Sequence, residues 1–131
     1  MRQQKNIKIL DANIILRFLM RDNREMADQA EKMIDNNDVL VTLEVAAEVV
    51  FVMLKVYGLD RCQISKTLID FSQLNNIQIS EYSVYKKALE LFGDNCLDFV
   101  DCLLCAYHRI YGYDICTFDK KLQKLIAKPD K

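Results

Sequence analysis

Four short β-branched runs, IKIL (7–10), VLVT (39–42), IQIS (77–80) and DICT (114–117), recur along the 131-residue chain, each bounded by polar or turn residues. Runs of that kind predict strands. Between them the apolar residues fall at helical spacing. Ile14, Ile15, Phe18 and Leu19 open a short helix after the first run, and Ala27, Ala30, Met33 and Ile34 carry the next one up to the turn Asp35-Asn36-Asn37-Asp38. Val45, Val49, Val52, Met53 and Val56 form a stripe that stops at Tyr57-Gly58. Ile64, Leu68, Ile69 and Phe71 mark a further helix, and Val84, Ala88, Leu89 and Phe92 another. Phe99, Leu103, Ala106 and Ile110 line a last long helix ended by Gly112, and a short one from Lys120 to Ala127 stops before Pro129. Strands that alternate with helices imply right-handed crossovers and a mainly parallel sheet covered on both faces.

The length fits one domain over residues 1–131, enough to bury roughly two thirds of the unfolded surface in a single core. With one Pro and three Gly, the chain has no flexible linker, and no internal repeat is found. The longest apolar stretches, such as VAAEVVFVML, are interrupted by charge and too short to span a bilayer. MRQQKNIK is followed by no apolar h-region, so no secretory signal is expected and a cytoplasmic location is. Five cysteines (62, 96, 102, 105 and 116) are an odd number, which in that setting points to reduced thiols rather than a disulfide framework. The net charge of −1 hides an uneven pattern. Arg2, Lys5, Lys8, Arg17, Arg21 and Arg24 fall early, and Lys120, Lys121, Lys124, Lys128 and Lys131 fall late. Two basic ends can flank one site and meet phosphate there.

In open α/β sheets, ligands bind beyond the carboxyl ends of the strands. Asp11 follows the first run directly in IKILDAN, and Asp119 follows the fourth in DICTFD. Glu48 lies in VAAEVVFVML, on what reads as an otherwise apolar face, where an unpaired carboxylate costs several kcal/mol. Asp98 and Asp101, in CLDFVDC, are spaced i, i+3 at the start of a helix. Each acid has a local reading. Asp11 and Asp119 suit helix caps or turns, Asp98 and Asp101 a variant of the capping box, and Glu48 a side chain reaching to solvent. A single arrangement covers all five: a carboxylate cluster holding Mg²⁺ or Mn²⁺, which take hard oxygen ligands. A zinc site at Cys102-x-x-Cys105 with Cys96 and His108 is disfavoured, because both thiols sit in an apolar helical stretch where Cys acts as a small hydrophobe. A receiver-like phosphoacceptor is disfavoured because VLVT ends on Thr42, and a haloacid-dehalogenase-type phosphatase because Asn13 stands where it needs a second acid.

The stretches LDANIILRFLMRDNREMADQAEKMI, EVAAEVVFVMLKVYGL, LDFVDCLLCAY and ICTFDKKL resemble, in order and spacing, the PIN-domain family over nearly the whole chain. Within it they most resemble the VapC-type toxin ribonucleases of bacterial type II toxin–antitoxin pairs. The resemblance implies a three-layer α/β/α fold with a four- to five-stranded, mainly parallel sheet. It implies a Mg²⁺- or Mn²⁺-dependent endoribonuclease in which water attacks in line and leaves a 5′-phosphate and a 3′-hydroxyl. Asp11, Glu48, Asp101 and Asp119 match the family's four acids, Asp98 matches an additional one, and Asn13 and Thr117 match supporting polar positions. Asp11 and Asp101 are expected to hold the tighter ion with Glu48 assisting, and Asp98 and Asp119 to serve a second. Arg17, Arg21, Lys120 and Lys121 are the candidates for RNA phosphate contacts. The chain departs from the pattern at Ala12, where such toxins often have Thr, and at Cys102 and Cys105, where Ala and Leu or Ile are usual. Neither change removes a carboxylate. The expected partners are RNA, a VapB-like antitoxin and a second copy of the chain. The alternative is a PIN-domain protein outside toxin–antitoxin systems, either an RNA-processing nuclease or a non-catalytic binding domain.

Overall fold

The computed structural model describes residues 6–130. Arg2, Lys5 and Lys131, counted above among the terminal basic residues, lie outside that range. Among the described residues three strands form, β1 (Ile7–Ile9), β2 (Asp38–Val41) and β3 (Ile77–Ile79), paired in the order β1-β2-β3 with both pairs parallel. The helices among the described residues are α1 (Ala12–Met20), α2 (Arg24–Asp35), α3 (Leu43–Lys55), α4 (Arg61–Phe71), α5 (Tyr82–Asp94), α6 (Phe99–Tyr111) and α7 (Lys120–Ala127). The α/β fold with a parallel sheet is therefore present, and α3 and α4 fill the long excursion between β2 and β3.

Local chemistry explains the helix ends. The Thr42 hydroxyl accepts from Val45 N at the start of α3, and Asn23 does the same for Met26 N at the start of α2. Asp60 and Gln63 close a reciprocal capping box on α4. Gly112, in the left-handed region at φ 75°, stops α6 without the strain a side chain would bring. The core gathers Ile15, Ile34, Val39, Met53, Ile64, Tyr85, Leu89, Phe92 and Leu122, all fully buried. Tyr85 keeps its hydroxyl satisfied by donating to Leu68 O at 2.6 Å. Among the described residues, no helix is long and apolar enough to cross a membrane.

The register sorts the sheet into two faces. On one, Val39, Val41 and Ile77 are buried against the helices, together with Leu10 just beyond β1. On the other, Ile7 and Ile9 are 47% and 64% exposed and Leu40 is half-buried. The expected covering of both faces thus fails at β1. That strand is an edge, with Lys8 in its centre as a charge that discourages pairing with other chains.

The fourth strand expected at DICT (114–117), and with it the four- to five-stranded sheet, is also corrected. Residues 112–119 form no strand. Polar side chains engage backbone groups at both ends of this run. His108 Nδ1 donates to Tyr113 O at 2.7 Å, and Gln123 Nε2 donates to Thr117 O at 2.7 Å. Asp119 N donates to Thr117 Oγ1 at 3.0 Å.

Candidate functional site

Asp11, Asp98, Asp101 and Asp119 all stand at helix N-termini, where the aligned peptide dipoles favour negative charge. They do so in different ways. Asp11 caps α1, its Oδ1 accepting from Ala12 N at 2.8 Å. Asp119 caps α7, its Oδ1 accepting from Leu122 N at 2.9 Å. Asp98 holds the N-cap position of α6, yet its carboxylate makes no capping hydrogen bond. A cap that leaves its own helix uncapped forgoes about 1 kcal/mol, and its oxygens stay free for another partner. Asp101 lies in the first turn of α6, half-buried.

Charge ties three of these acids together. Burial, and then the negative charges of Asp119 and Asp98, hold the Asp101 carboxyl above its ordinary value. Asp11 and Glu48 do not enter that interaction. Glu48 is also not where the sequence pattern puts it. It is exposed, together with Glu44, Phe51 and Lys55, because the buried face of α3 is formed by Leu43, Ala46, Val49, Val50 and Met53. No burial cost therefore demands a partner for it, and among the described residues it has no hydrogen bond or ion pair.

The donor set is made of carboxylates alone, which suits a hard divalent cation. The repulsion that Asp119 and Asp98 exert on Asp101 is of the kind a cation relieves. Among the described residues, however, no three His, Cys, Asp or Glu side chains gather closely enough to form a metal cage. The residues therefore fit a magnesium-like mode, with one or two direct carboxylates and water at the other positions, better than an all-protein cage. The thiols Cys102 and Cys105 are buried among apolar side chains, and the His108 ring is engaged by Tyr113 O.

The basic candidates divide in two. Arg17 pairs with Asp22 at 3.3 Å, and Arg21 with Asp28 and Glu31, each at 3.3 Å, so both charges are already matched. Lys120 and Lys121, next to Asp119, are exposed and have no ion pair among the described residues. Asn13 is exposed beside Asp11. Thr117 fixes the backbone of Asp119 through its hydroxyl.

Sequence reasoning missed Arg61. Its Nη1 donates to Phe92 O at 3.2 Å and to Asn95 O and Leu97 O at 2.7 Å each, and its guanidinium lies 4.2 Å from the Phe92 ring centroid. It thereby clamps the loop that delivers Asp98. Asp60-Arg61 in the sequence reads only as a helix start, so no local signal marks the clamp.

A profile of the PIN domain matches residues 8–128. No curated protein and no solved structure matches the chain.

Proposed function

The chain belongs to the PIN domain family, whose members are in general metal-dependent nucleases, and we propose that it is a Mg²⁺- or Mn²⁺-dependent endoribonuclease, the toxin of a VapBC-type toxin–antitoxin pair. The observation that carries the reading is Asp101, half-buried in the first turn of α6 with the charges of Asp98 and Asp119 upon it. The toxin assignment is supported by the VapC-like stretches LDANIILRFLMRDNREMADQAEKMI and LDFVDCLLCAY. With it come a VapB-like antitoxin and a homodimer as proposed partners.

Asp101, with Asp11, would hold the tighter cation; Asp98 and Asp119 would serve a second, and Glu48 would position one of them. When bound, such a cation activates water and neutralises charge on the phosphodiester. Asp98 contributes a carboxylate released from capping duty. Asp119 is held in place by α7 and by Thr117, and Asn13 and Thr117 support their neighbouring acids. Lys120 and Lys121 draw the phosphate backbone toward the acids and offset their repulsion of it.

Calorimetric titration with Mn²⁺ tests the site. Binding that is lost in Asp101→Asn and weakened in Asp11→Asn, with RNA cleavage lost alongside, is the expected result. An unaltered titration, or cleavage that persists in Asp101→Asn, overturns the reading. Growth arrest on expression, relieved by Asp101→Asn and by the product of an adjacent reading frame, tests the toxin assignment.

A further inference from the structure

Phe118 is 100% exposed, one residue before Asp119. An exposed apolar side chain is common on its own. Three facts set this one apart. First, the backbone on both sides of it is fixed: Thr117 O accepts from Gln123 Nε2, Asp119 N donates to Thr117 Oγ1, and Asp119 caps α7. The ring is thus presented from a held position. Second, it precedes an N-cap, where an apolar residue ordinarily packs against the fourth residue of the helix. That residue is Gln123, whose amide is committed to Thr117 O, so the ring has no partner within its own helix. Third, it is flanked by Asp119, which acts on Asp101, and by the exposed Lys120 and Lys121. An aromatic face beside free ammonium groups suits a nucleobase on one side and its phosphates on the other. The segment leading to it carries a second exposed aromatic, Tyr113, stacked on Tyr111 with centroids 5.3 Å apart.

We propose that Phe118 is a base-stacking residue that seats one unpaired nucleobase of single-stranded RNA next to the acidic group. This rests on the endoribonuclease reading and adds to it a residue that seats a base beside the acids. Stacking tolerates any base, so Phe118 contributes affinity for a base without reading its sequence.

The chain contains no Trp, so Phe118→Trp places a single tryptophan at this position, excited selectively over the six tyrosines at the red edge of its absorption. In an Asp101→Asn background with Mg²⁺, the probes are a short single-stranded oligoribonucleotide of mixed sequence and an abasic oligomer of the same length. The expected result is quenching of the Trp emission by the RNA and none by the abasic strand. Phe118→Ala is expected to bind the RNA roughly 5- to 100-fold more weakly, with abasic binding unchanged. Equal RNA binding by Phe118→Ala, equal quenching by the abasic strand, or no RNA binding at all overturns the inference. So does a change of oligomeric state in Phe118→Ala with RNA binding intact, which would assign the ring to a second copy of the chain. Cleavage by the unaltered protein is read separately. Stacking without cleavage sinks the nuclease reading and leaves this one, whereas cleavage indifferent to Phe118 does the reverse.

Discussion

Nη1 of Arg61 donates to Leu97 O at 2.7 Å, and the peptide it holds is the one that joins Leu97 to Asp98. The same nitrogen reaches Asn95 O and Phe92 O, so the last turn of α5 and two carbonyls of the loop after it depend on a single cation. Arg61→Met leaves them without that donor and removes the contact with the Phe92 ring. A loss of about 2–4 kcal/mol is expected in urea unfolding. Arg61→Lys, with three ammonium hydrogens on a shorter stem, is expected to recover part of it. Equal stability of Arg61→Met and the parent chain would show that the loop is held by its own packing.

Asp101 carries a cost in the unliganded protein. Its folded-state pKa is raised, first by burial and then by Asp119 and Asp98. The folded state therefore binds the proton more tightly than the unfolded state does. The charged carboxylate lowers stability above the folded pKa, and this penalty vanishes below the unfolded one. Asp101→Asn is expected to raise the melting temperature at neutral pH by about 1–3 °C, a small figure because solvent screens a half-exposed group. The gain should fade as the pH falls into the acid range. Added Mn²⁺ should stabilise the parent chain and not the variant. A lower melting temperature for Asp101→Asn at neutral pH would contradict the repulsion.

Much of the fold is legible in the sequence because its signals are local. IKIL, VLVT and IQIS become β1 to β3, and every helical stripe becomes a helix, since β-branched runs and apolar periodicity act within a few residues. DICT forms no strand, and the contacts that hold its ends come from outside its four residues: His108 and Gln123, from the helices on either side, donate to the carbonyls of Tyr113 and Thr117. The acids at helix starts are equally legible. The placement of Glu48 on an apolar face is misread because the apolar residues of α3 outnumber those one face can bury, and Phe51 shares the exposed side with it. Arg61 is invisible because its partners lie 31 to 36 residues away.

Asp119 has two roles that a pair of variants separates. Its Oδ1 caps α7 through Leu122 N, and its charge acts on Asp101. Asp119→Asn keeps an oxygen acceptor for the cap and is expected to retain helix stability to within a few tenths of a kcal/mol, whereas Asp119→Ala loses about 1 kcal/mol. Both remove the charge, so both are expected to lose metal-dependent RNA cleavage. Thermal unfolding read beside the cleavage assay checks this. Activity retained in Asp119→Asn would confine the residue to the cap.

The five thiols should divide by environment when alkylated under native conditions. Cys62, Cys96 and Cys116 are exposed, and Cys102 and Cys105 are buried. Burial pushes the Cys102 thiol up to about 12 and raises that of Cys105, so little thiolate forms at either in mildly alkaline buffer. Iodoacetamide is therefore expected to modify Cys62, Cys96 and Cys116 and to reach Cys102 and Cys105 only after unfolding, as read by peptide mass mapping. Because α6 carries both protected thiols and Asp101, their labelling rate also reports how often that helix opens. The Arg61→Met variant, whose clamp precedes α6, should speed their modification and leave that of Cys116 unchanged. Fast modification of Cys102 in the parent chain would mean that α6 is loosely seated, and the position of Asp101 with it.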